Sequence, residues 1–166
     1  MSILHQVLFT IAAVFPVLTS CNRNGADLEA ADIIAMERAA LDRWGRGDPQ
    51  GVIDLYANDI TYFDPLQDKR VDGLEAMKTL YGAIAGKIEI RHYDMIDPKV
   101  QRMGDVAVLT YNLVDDLTRL PTGPVSMRVP WNVTTVYAHV DGRWKVVHAH
   151  YSYVKGKLST EEISSQ

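Results

Sequence analysis

Cysteine is nearly absent from the sequence, since its 166 residues include a single one, Cys21. One thiol cannot form a disulfide within the chain, so the fold cannot depend on a disulfide framework. Basic residues are not in excess either, because 17 Lys and Arg against 21 Asp and Glu leave a formal net charge of -4 without a basic cluster. Nucleic-acid-binding domains carry a basic patch. Neither DNA nor RNA is therefore expected as a partner.

The N-terminal apolar run, residues 7–18, is shorter than the roughly 20 residues that a membrane-spanning helix needs. It ends in Leu18-Thr19-Ser20-Cys21, which resembles the lipobox of bacterial lipoproteins. We expect residues 1–20 to be a lipoprotein signal peptide, and Cys21 to carry a lipid that holds the protein in the bacterial envelope, on the periplasmic side or at the cell surface. The lipid would be its only membrane contact. An ordinary secretory signal, or a buried N-terminal helix, is the alternative.

A long helix is predicted at the start of the domain. Residues 21–27 read as a polar tether, and Asp27 is a suitable N-cap for a helix through about Arg46. Apolar residues recur there at steps of three and four, with polar residues mostly opposite. The apolar stripe comprises Leu28, Ala31, Ile34, Leu41 and Trp44, supported by Ile33 and Ala40, and the polar side comprises Glu29, Glu37, Arg38 and Asp42.

Two shorter helices and a brief strand are predicted next. Asp48-Pro49 supplies a cap and a proline at the first position of a second helix. Ile60 to Phe63 reads as a strand that ends at Asp64-Pro65, because proline cannot donate a ladder hydrogen bond. Asp72 caps a third helix, residues 73–85.

The rest of the chain is typical of an antiparallel meander. Strands are predicted over residues 88–95, 100–103 and 106–117, followed by a hairpin of residues 131–140 and 143–153 around Asp141-Gly142, a pair that suits a type I′ turn. Alternation places Trp144, Val146, His148 and His150 on one face of the last strand, and Val147, Ala149, Tyr151 and Tyr153 on the other. The order of elements predicts an α+β domain over residues 28–154, with helices on one face of a curved sheet and a polar tail at 155–166.

Several short motifs carry a family resemblance. In chain order they are Gly47-Asp48, Phe63-Asp64-Pro65, Val71-Asp72-Gly73, Asp97-Pro98, Gly104-Asp105, Asp141-Gly142-Arg143-Trp144 and residues 147–152. Together they resemble the association domain of calcium/calmodulin-dependent protein kinase II and its bacterial relatives, in the SnoaL-like, nuclear transport factor 2-like superfamily. The resemblance implies a cone-shaped half-barrel with an internal pocket. The kinase domain lines that pocket with arginines at places that correspond here to Asn112 and Thr135, so an arginine clamp for a carboxylate is not expected.

The predicted pocket would be apolar with a few polar groups. Matching parity sends Val108, Thr110, Asn112, Val114 and Asp116 inward from one strand, and Trp131, Val133, Thr135 and Tyr137 inward from the next. Tyr62 or Phe63 would face the pocket from the first strand, and His150 from the last. Such a lining suits a small apolar ligand. The alternative is a filled core without a cavity.

His148 and His150 alternate along one strand and so share a face. They suit a structural pair, an oligomer surface or a general acid or base. A metal ion is not expected, because the sequence offers no third ligand, and no cofactor is implied. If the domain is an enzyme, Asp64, His148 and Tyr62 are the candidate catalytic residues.

We therefore expect a non-catalytic domain that binds a small molecule or assembles with itself, as a homodimer or a larger ring. Superfamily members also include isomerases, dehydratases and cyclases that use no cofactor. Fold alone does not decide between these classes. A buried, desolvated carboxyl group and the volume of the cavity would distinguish them.

Overall fold

The computed structural model describes residues 23–119 and 126–155. Three helices and six strands follow in chain order: α1 (Arg23–Gly45), α2 (Gln50–Ile53), β1 (Tyr56–Phe63), β2 (Val71–Asp72), α3 (Leu74–Ile84), β3 (Ile88–Met103), β4 (Val106–Arg119), β5 (Ser126–Val140) and β6 (Arg143–Tyr153). The predicted signal peptide, Cys21, residues 120–125 and almost all of the predicted tail lie outside the described residues. Within the described residues, no helix has the length and apolar character to cross a membrane.

All six strands form one sheet in the order β2-β1-β6-β5-β4-β3. Only the β1–β6 pairing is parallel, and the other four are antiparallel. The helices pack on one face, where α1 contacts β3 and α3 contacts β1. We call this helix-covered side the inner face and the opposite side the outer face. The predicted α+β architecture, helices on a curved and mainly antiparallel sheet, is confirmed.

The long first helix begins earlier than predicted. It starts at Arg23, so residues 23–27 of the expected tether are helical and Asp27 lies inside the helix instead of capping it. Asn24 and Gly25 have low helix propensity, but propensity is a weak prior and no proline blocks the extra turn. The predicted apolar stripe packs in part. Ile33, Ala40 and Leu41 are buried in the core and Ile34 and Trp44 pack against it, whereas Ala31 is exposed.

Several strand boundaries also differ from the sequence prediction. β1 begins at Tyr56, four residues before the predicted strand, β5 begins at Ser126 and not at Trp131, and the two-residue strand β2 was not predicted. β3 runs unbroken through Asp97-Pro98, which the sequence read as an interruption. The strand accommodates Asp97-Pro98 through a local irregularity. Asp97 has φ 48°, and the register with β4 shifts between Ile96 and Lys99.

The hairpin between β5 and β6 has the predicted turn. Asp141 and Gly142 have φ values of 50° and 76°, the positive values that a type I′ turn requires at both central positions. The predicted faces of β6 are wrong, however. Tyr137 pairs with Val146 and Val136 pairs with His148, so an extra residue, Val147, interrupts the alternation. Such a bulge moves every later side chain to the other face.

Candidate functional site

The polar centre of the inner face is Glu37, a buried residue of α1. The Tyr111 hydroxyl donates a hydrogen bond of 2.8 Å to Glu37 Oε1, and the Thr135 hydroxyl donates one of 3.3 Å to the same oxygen. The Tyr137 hydroxyl donates a short hydrogen bond to Oε2. Tyr111 lies on β4, and Thr135 and Tyr137 lie on β5. One carboxyl group therefore joins the first helix to the two long central strands.

Burial dominates the ionisation of Glu37. Removal from water raises the pKa of this carboxyl group, while the hydrogen bonds from Tyr137, Tyr111 and Thr135 oppose that rise without cancelling it. No described residue forms a salt bridge with Glu37. Burial without a cation favours the protonated form of a carboxyl group, and that form is the one that a general acid needs.

A second carboxyl group, Asp115, is buried on the same face. The Trp131 indole N–H donates a hydrogen bond of 3.2 Å to Asp115 Oδ1. Burial raises the pKa of Asp115 to about 6, although the Trp131 hydrogen bond acts in the other direction. Its neighbour Asp116 faces the opposite side, as alternation along a strand requires.

Tyrosine side chains fill most of the space around these carboxyl groups. Tyr81 forms edge contacts with Trp44 and Tyr62, with ring centroids 4.6 Å and 6.1 Å apart, and its hydroxyl lies 3.2 Å from that of Tyr56. Burial raises the pKa of Tyr81 to about 12, so this hydroxyl stays protonated at neutral pH. The interior is thus a packed aromatic layer with hydroxyl groups and not an empty barrel.

The enclosed space beside Glu37 is small. It measures about 10 Å³ and lies between α1, α2 and the central strands, with Leu41, Val52 and Tyr151 among its lining residues. This is close to the minimum that holds one water molecule, and far below the roughly 300–1,000 Å³ of ligand pockets. The enclosed space therefore does not fit a small organic ligand.

The outer face has regular rows of side chains across the central strands. Residues that pair across strands share a face, so the register defines the rows. One row comprises Val108, Val136, His148 and Thr61; the next comprises Thr110, Thr134, His150 and Phe63; the third comprises Asn112, Asn132 and Ser152. We call these three rows the outer rows. Phe63 is 40% exposed, and the valines are only half-buried.

His148 and His150 lie at the centre of the outer rows, on β6. The His148 Nδ1 atom lies 2.8 Å from the Thr61 hydroxyl, and the two imidazole centroids are 6.5 Å apart. Burial lowers the pKa of His148, and His150 and Arg70 lower it further, so the ring is neutral at neutral pH. No group of three His, Cys, Asp or Glu side chains suited to a metal ion occurs among the residues that the structure describes.

The structure separates the residues that the sequence grouped into one site. Tyr62, Trp131, Thr135 and Tyr137 face inward, as predicted, but Phe63, Thr110, Asn112, His148 and His150 belong to the outer rows. The sequence prediction assigned the wrong set of alternate β4 residues to the inner face. Tyr111 pairs with Val133 on the buried side, and Asn112 is exposed. Asp64 lies in a turn, where its carboxylate accepts a hydrogen bond of 2.7 Å from the Leu66 N–H. Asp64 lies near enough to Tyr62 to contribute to the raised pKa of that phenol. His148 lies on the opposite face of the sheet from Tyr62, so the three residues do not form one site.

Sequence reasoning missed Glu37, Tyr111 and Asp115. The sequence does contain a signal for Glu37, because the residue lies four positions after Ile33 and four before Leu41, on the same helical stripe. The sequence of β4 also indicates which of its residues face inward. One set of alternate residues is more apolar than the set between them, namely Ala107, Leu109, Tyr111 and Leu113. The alignment of Asn112 with a pocket arginine of the kinase domain favoured the wrong parity.

The architecture is that of the nuclear transport factor 2-like superfamily. The model of the calcium/calmodulin dependent protein kinase II association domain matches residues 29–155. The chain therefore belongs to the calcium/calmodulin-dependent protein kinase II association domain family. No curated protein sequence matches the chain.

Solved structures agree with this assignment. A protein from Parabacteroides distasonis that is assigned as a ketosteroid isomerase is 34% identical, with a TM-score of 0.62 over 75% of this chain and 86% of its own. The CamKII hub homology domain of Chlamydamonas reinhardtii is 26% identical, with a TM-score of 0.61 over 76% and 98%. A nuclear transport factor 2-like protein of Salmonella enterica, 19% identical with a TM-score of 0.66 over 82% and 98%, shares the fold. These relationships support ligand binding or self-assembly as the class of function.

Proposed function

We propose that the chain is an envelope lipoprotein whose domain forms homo-oligomers through the outer rows and catalyses no reaction. The observation that carries this proposal is the contrast between the two faces of the sheet. The inner face is covered by helices and filled, whereas the outer face presents half-buried valines and Phe63 without a covering element among the described residues. Exposed apolar surface on a sheet face is typical of an interaction site.

The small interior space favours assembly over binding of an apolar ligand. A ligand would have to displace Tyr56, Leu41 or Val52 from packed positions around a space of about 10 Å³. Displacement of packed core side chains costs about 1–3 kcal/mol or more. Assembly through the outer rows requires no such rearrangement, and the similarity to a CamKII hub homology domain supports assembly.

Twofold pairing is the simplest arrangement for such a face. β5 and β6 are the two middle strands of the six-stranded sheet, so the outer rows lie near its centre. A twofold contact uses the same patch on both subunits. Rows with threonine and asparagine beside valine give such a patch polar groups that can pair across the contact.

The assembly is tested by Val136→Lys, which places a charge in the first outer row. We expect the wild-type full chain in detergent to sediment as a dimer or a larger ring at micromolar concentration, and Val136→Lys to sediment as a monomer, because an unpaired ammonium is costly at a buried contact. Met103→Lys is the matched control, since Met103 is 62% exposed at the end of β3. A monomeric wild type, or an oligomeric Val136→Lys variant, would overturn the proposed assembly.

The proposed envelope location and lipid anchor rest on the sequence around Cys21. A lipoprotein with one folded domain would present the outer rows to other copies in the same membrane plane. Confinement to a surface raises the effective concentration of such copies, which favours weak self-association.

A cofactor-independent isomerase, dehydratase or cyclase is the second candidate. Asp115 favours it, because a buried carboxyl group with a pKa of about 6 suits general acid–base chemistry. The relative from Parabacteroides distasonis is assigned to such an activity. If the chain turns over a neutral ligand found by thermal shift, Asp115→Asn should reduce turnover about 100-fold or more. Asp116→Asn, on the opposite face of the same strand, is the control.

A further inference from the structure

The Thr61 hydroxyl orients the imidazole of His148. Its oxygen lies 2.8 Å from His148 Nδ1 and 3.4 Å from the Val147 carbonyl oxygen. When the hydroxyl donates its proton to that carbonyl, its oxygen accepts from Nδ1–H. In that tautomer the lone pair of Nε2 is available to a metal ion. A metal-binding histidine has this arrangement, with one ring nitrogen oriented by an outer hydrogen bond and the other available to the metal.

His150 is the second potential ligand. It follows His148 by two residues on the same strand, and the ring centroids lie 6.5 Å apart. Phe63 packs against both rings, at centroid distances of 6.2 Å and 5.7 Å, and restricts their orientation. Arg70, whose charge acts on His148, forms an ion pair with Asp72.

One chain supplies only two of the four ligands that a tetrahedral zinc site needs. The outer rows are the surface that we propose for self-assembly, and the two histidines lie near the centre of the sheet. A twofold axis through this region places the same pair from a second copy opposite the first. We propose that His148 and His150 of two copies form a four-histidine site for a divalent transition metal such as zinc, which links two subunits. This inference rests on the proposed assembly through the outer rows.

Zinc binding to the full chain in detergent tests this site. Every sample carries Cys21→Ser, because a chain that is produced without acylation has a free thiol at Cys21, and a thiol also binds zinc. After removal of metal with a chelator, titration followed by calorimetry should give one zinc ion per two chains, and His148→Gln/His150→Gln should bind at least 30-fold more weakly. His92→Gln/His139→Gln, which removes two histidines outside the outer rows, should bind as the Cys21→Ser parent does. One zinc ion per chain, or equal binding by the two double variants, overturns the site.

Sedimentation separates this inference from the proposed function. Oligomers that persist in chelator and do not bind zinc would support assembly through the outer rows and overturn the metal site. Monomers in chelator that become dimers with zinc would support the metal site and overturn assembly driven by apolar contact. Monomers under both conditions would overturn both. Cobalt(II) gives an independent check, since a tetrahedral site produces visible absorption that the His148→Gln/His150→Gln variant should lose.

Discussion

The hydroxyl group of Tyr111, on β4, donates a hydrogen bond of 2.8 Å to Glu37 Oε1, on α1, across 74 residues of sequence. Thr135 and Tyr137 donate to the same carboxyl group from β5. A buried polar network of this kind restricts how α1 can slide or rotate on the sheet, because other positions leave polar groups without partners. Glu37 therefore fixes the position of the first helix as well as filling the core.

The first prediction concerns the pH dependence of stability. Burial raises the pKa of Glu37 above its ordinary value of 4.5, so folding favours the protonated form. The stability that this carboxyl group contributes is present below its unfolded pKa and is lost as pH rises through its folded pKa. Glu37→Gln cannot ionise. We expect the free energy of unfolding of the wild type to fall relative to that of Glu37→Gln over a pH range that starts near the unfolded pKa of Glu37 and extends above neutrality.

Urea unfolding of both proteins over this range measures the difference. Asp115 titrates in both proteins, so its effect cancels in the comparison. Two curves that remain parallel would show that Glu37 has no raised pKa. If the wild type instead gained stability relative to Glu37→Gln as pH rises, the pKa of Glu37 would be lower in the folded state than in the unfolded state, and the prediction would be wrong.

The second prediction concerns the coupling of Glu37 and Tyr111. Tyr111→Phe removes a hydrogen-bond donor and should lower the free energy of unfolding by about 1–3 kcal/mol. Because both groups belong to one network, the cost should be smaller in a Glu37→Leu background, with a coupling energy of about 0.5–3 kcal/mol in a double-mutant cycle. Tyr93→Phe is the control, since Tyr93 donates to the exposed carboxylate of Asp42. Strict additivity of the Glu37 and Tyr111 changes would contradict the network.

The third prediction concerns the close approach of α1 to β3. A Cβ atom added to Gly45 would lie 2.9 Å from the Ile90 carbonyl oxygen, which belongs to the backbone and cannot rotate away. Gly45→Ala should therefore destabilise the fold by about 1–3 kcal/mol. Gly82→Ala is the matched control, because nothing lies within 4 Å of its added Cβ. Gly82 lies in the last turn of α3, where that change should stabilise by up to about 1 kcal/mol. Thermal unfolding of both variants measures the contrast.

Much of the fold could be predicted because local chemistry determines it. The Asp141-Gly142 turn, the apolar stripe of the first helix and the order of elements follow from patterns within about 20 residues. The β1–β6 pairing could not be predicted in the same way, because it joins distant segments in parallel and depends on tertiary packing. The two-residue strand β2 forms only because β1 is already in place beside it.

The candidate sites were harder to predict, since one residue of register decides which face a side chain occupies. The extra residue Val147 places His148 and His150 on the outer face. On β4, Tyr111 faces inward where Asn112 was predicted. Amino-acid composition does not show either of these register positions. Glu37 was assigned to the solvent side because charged residues are rarely fully buried without a partner. Its partners lie on β4 and β5 and become apparent only when the fold is assembled.

The fourth prediction concerns Cys21. If the chain is a lipoprotein, Cys21 is the residue that receives the acyl chains after cleavage of the signal peptide. Expressed with its own leader in a Gram-negative bacterium, the wild type should incorporate labelled palmitate and sediment with membranes, and Cys21→Ser should lose the label. Several acyl chains hold a protein at a membrane far more firmly than the single chain that gives only marginal binding. Ser20→Ala keeps a small residue before the cleavage site and should be labelled as the wild type is. Release of an unlabelled wild-type protein into the periplasm would instead indicate an ordinary secretory signal, and assembly through the outer rows would then have to occur in solution.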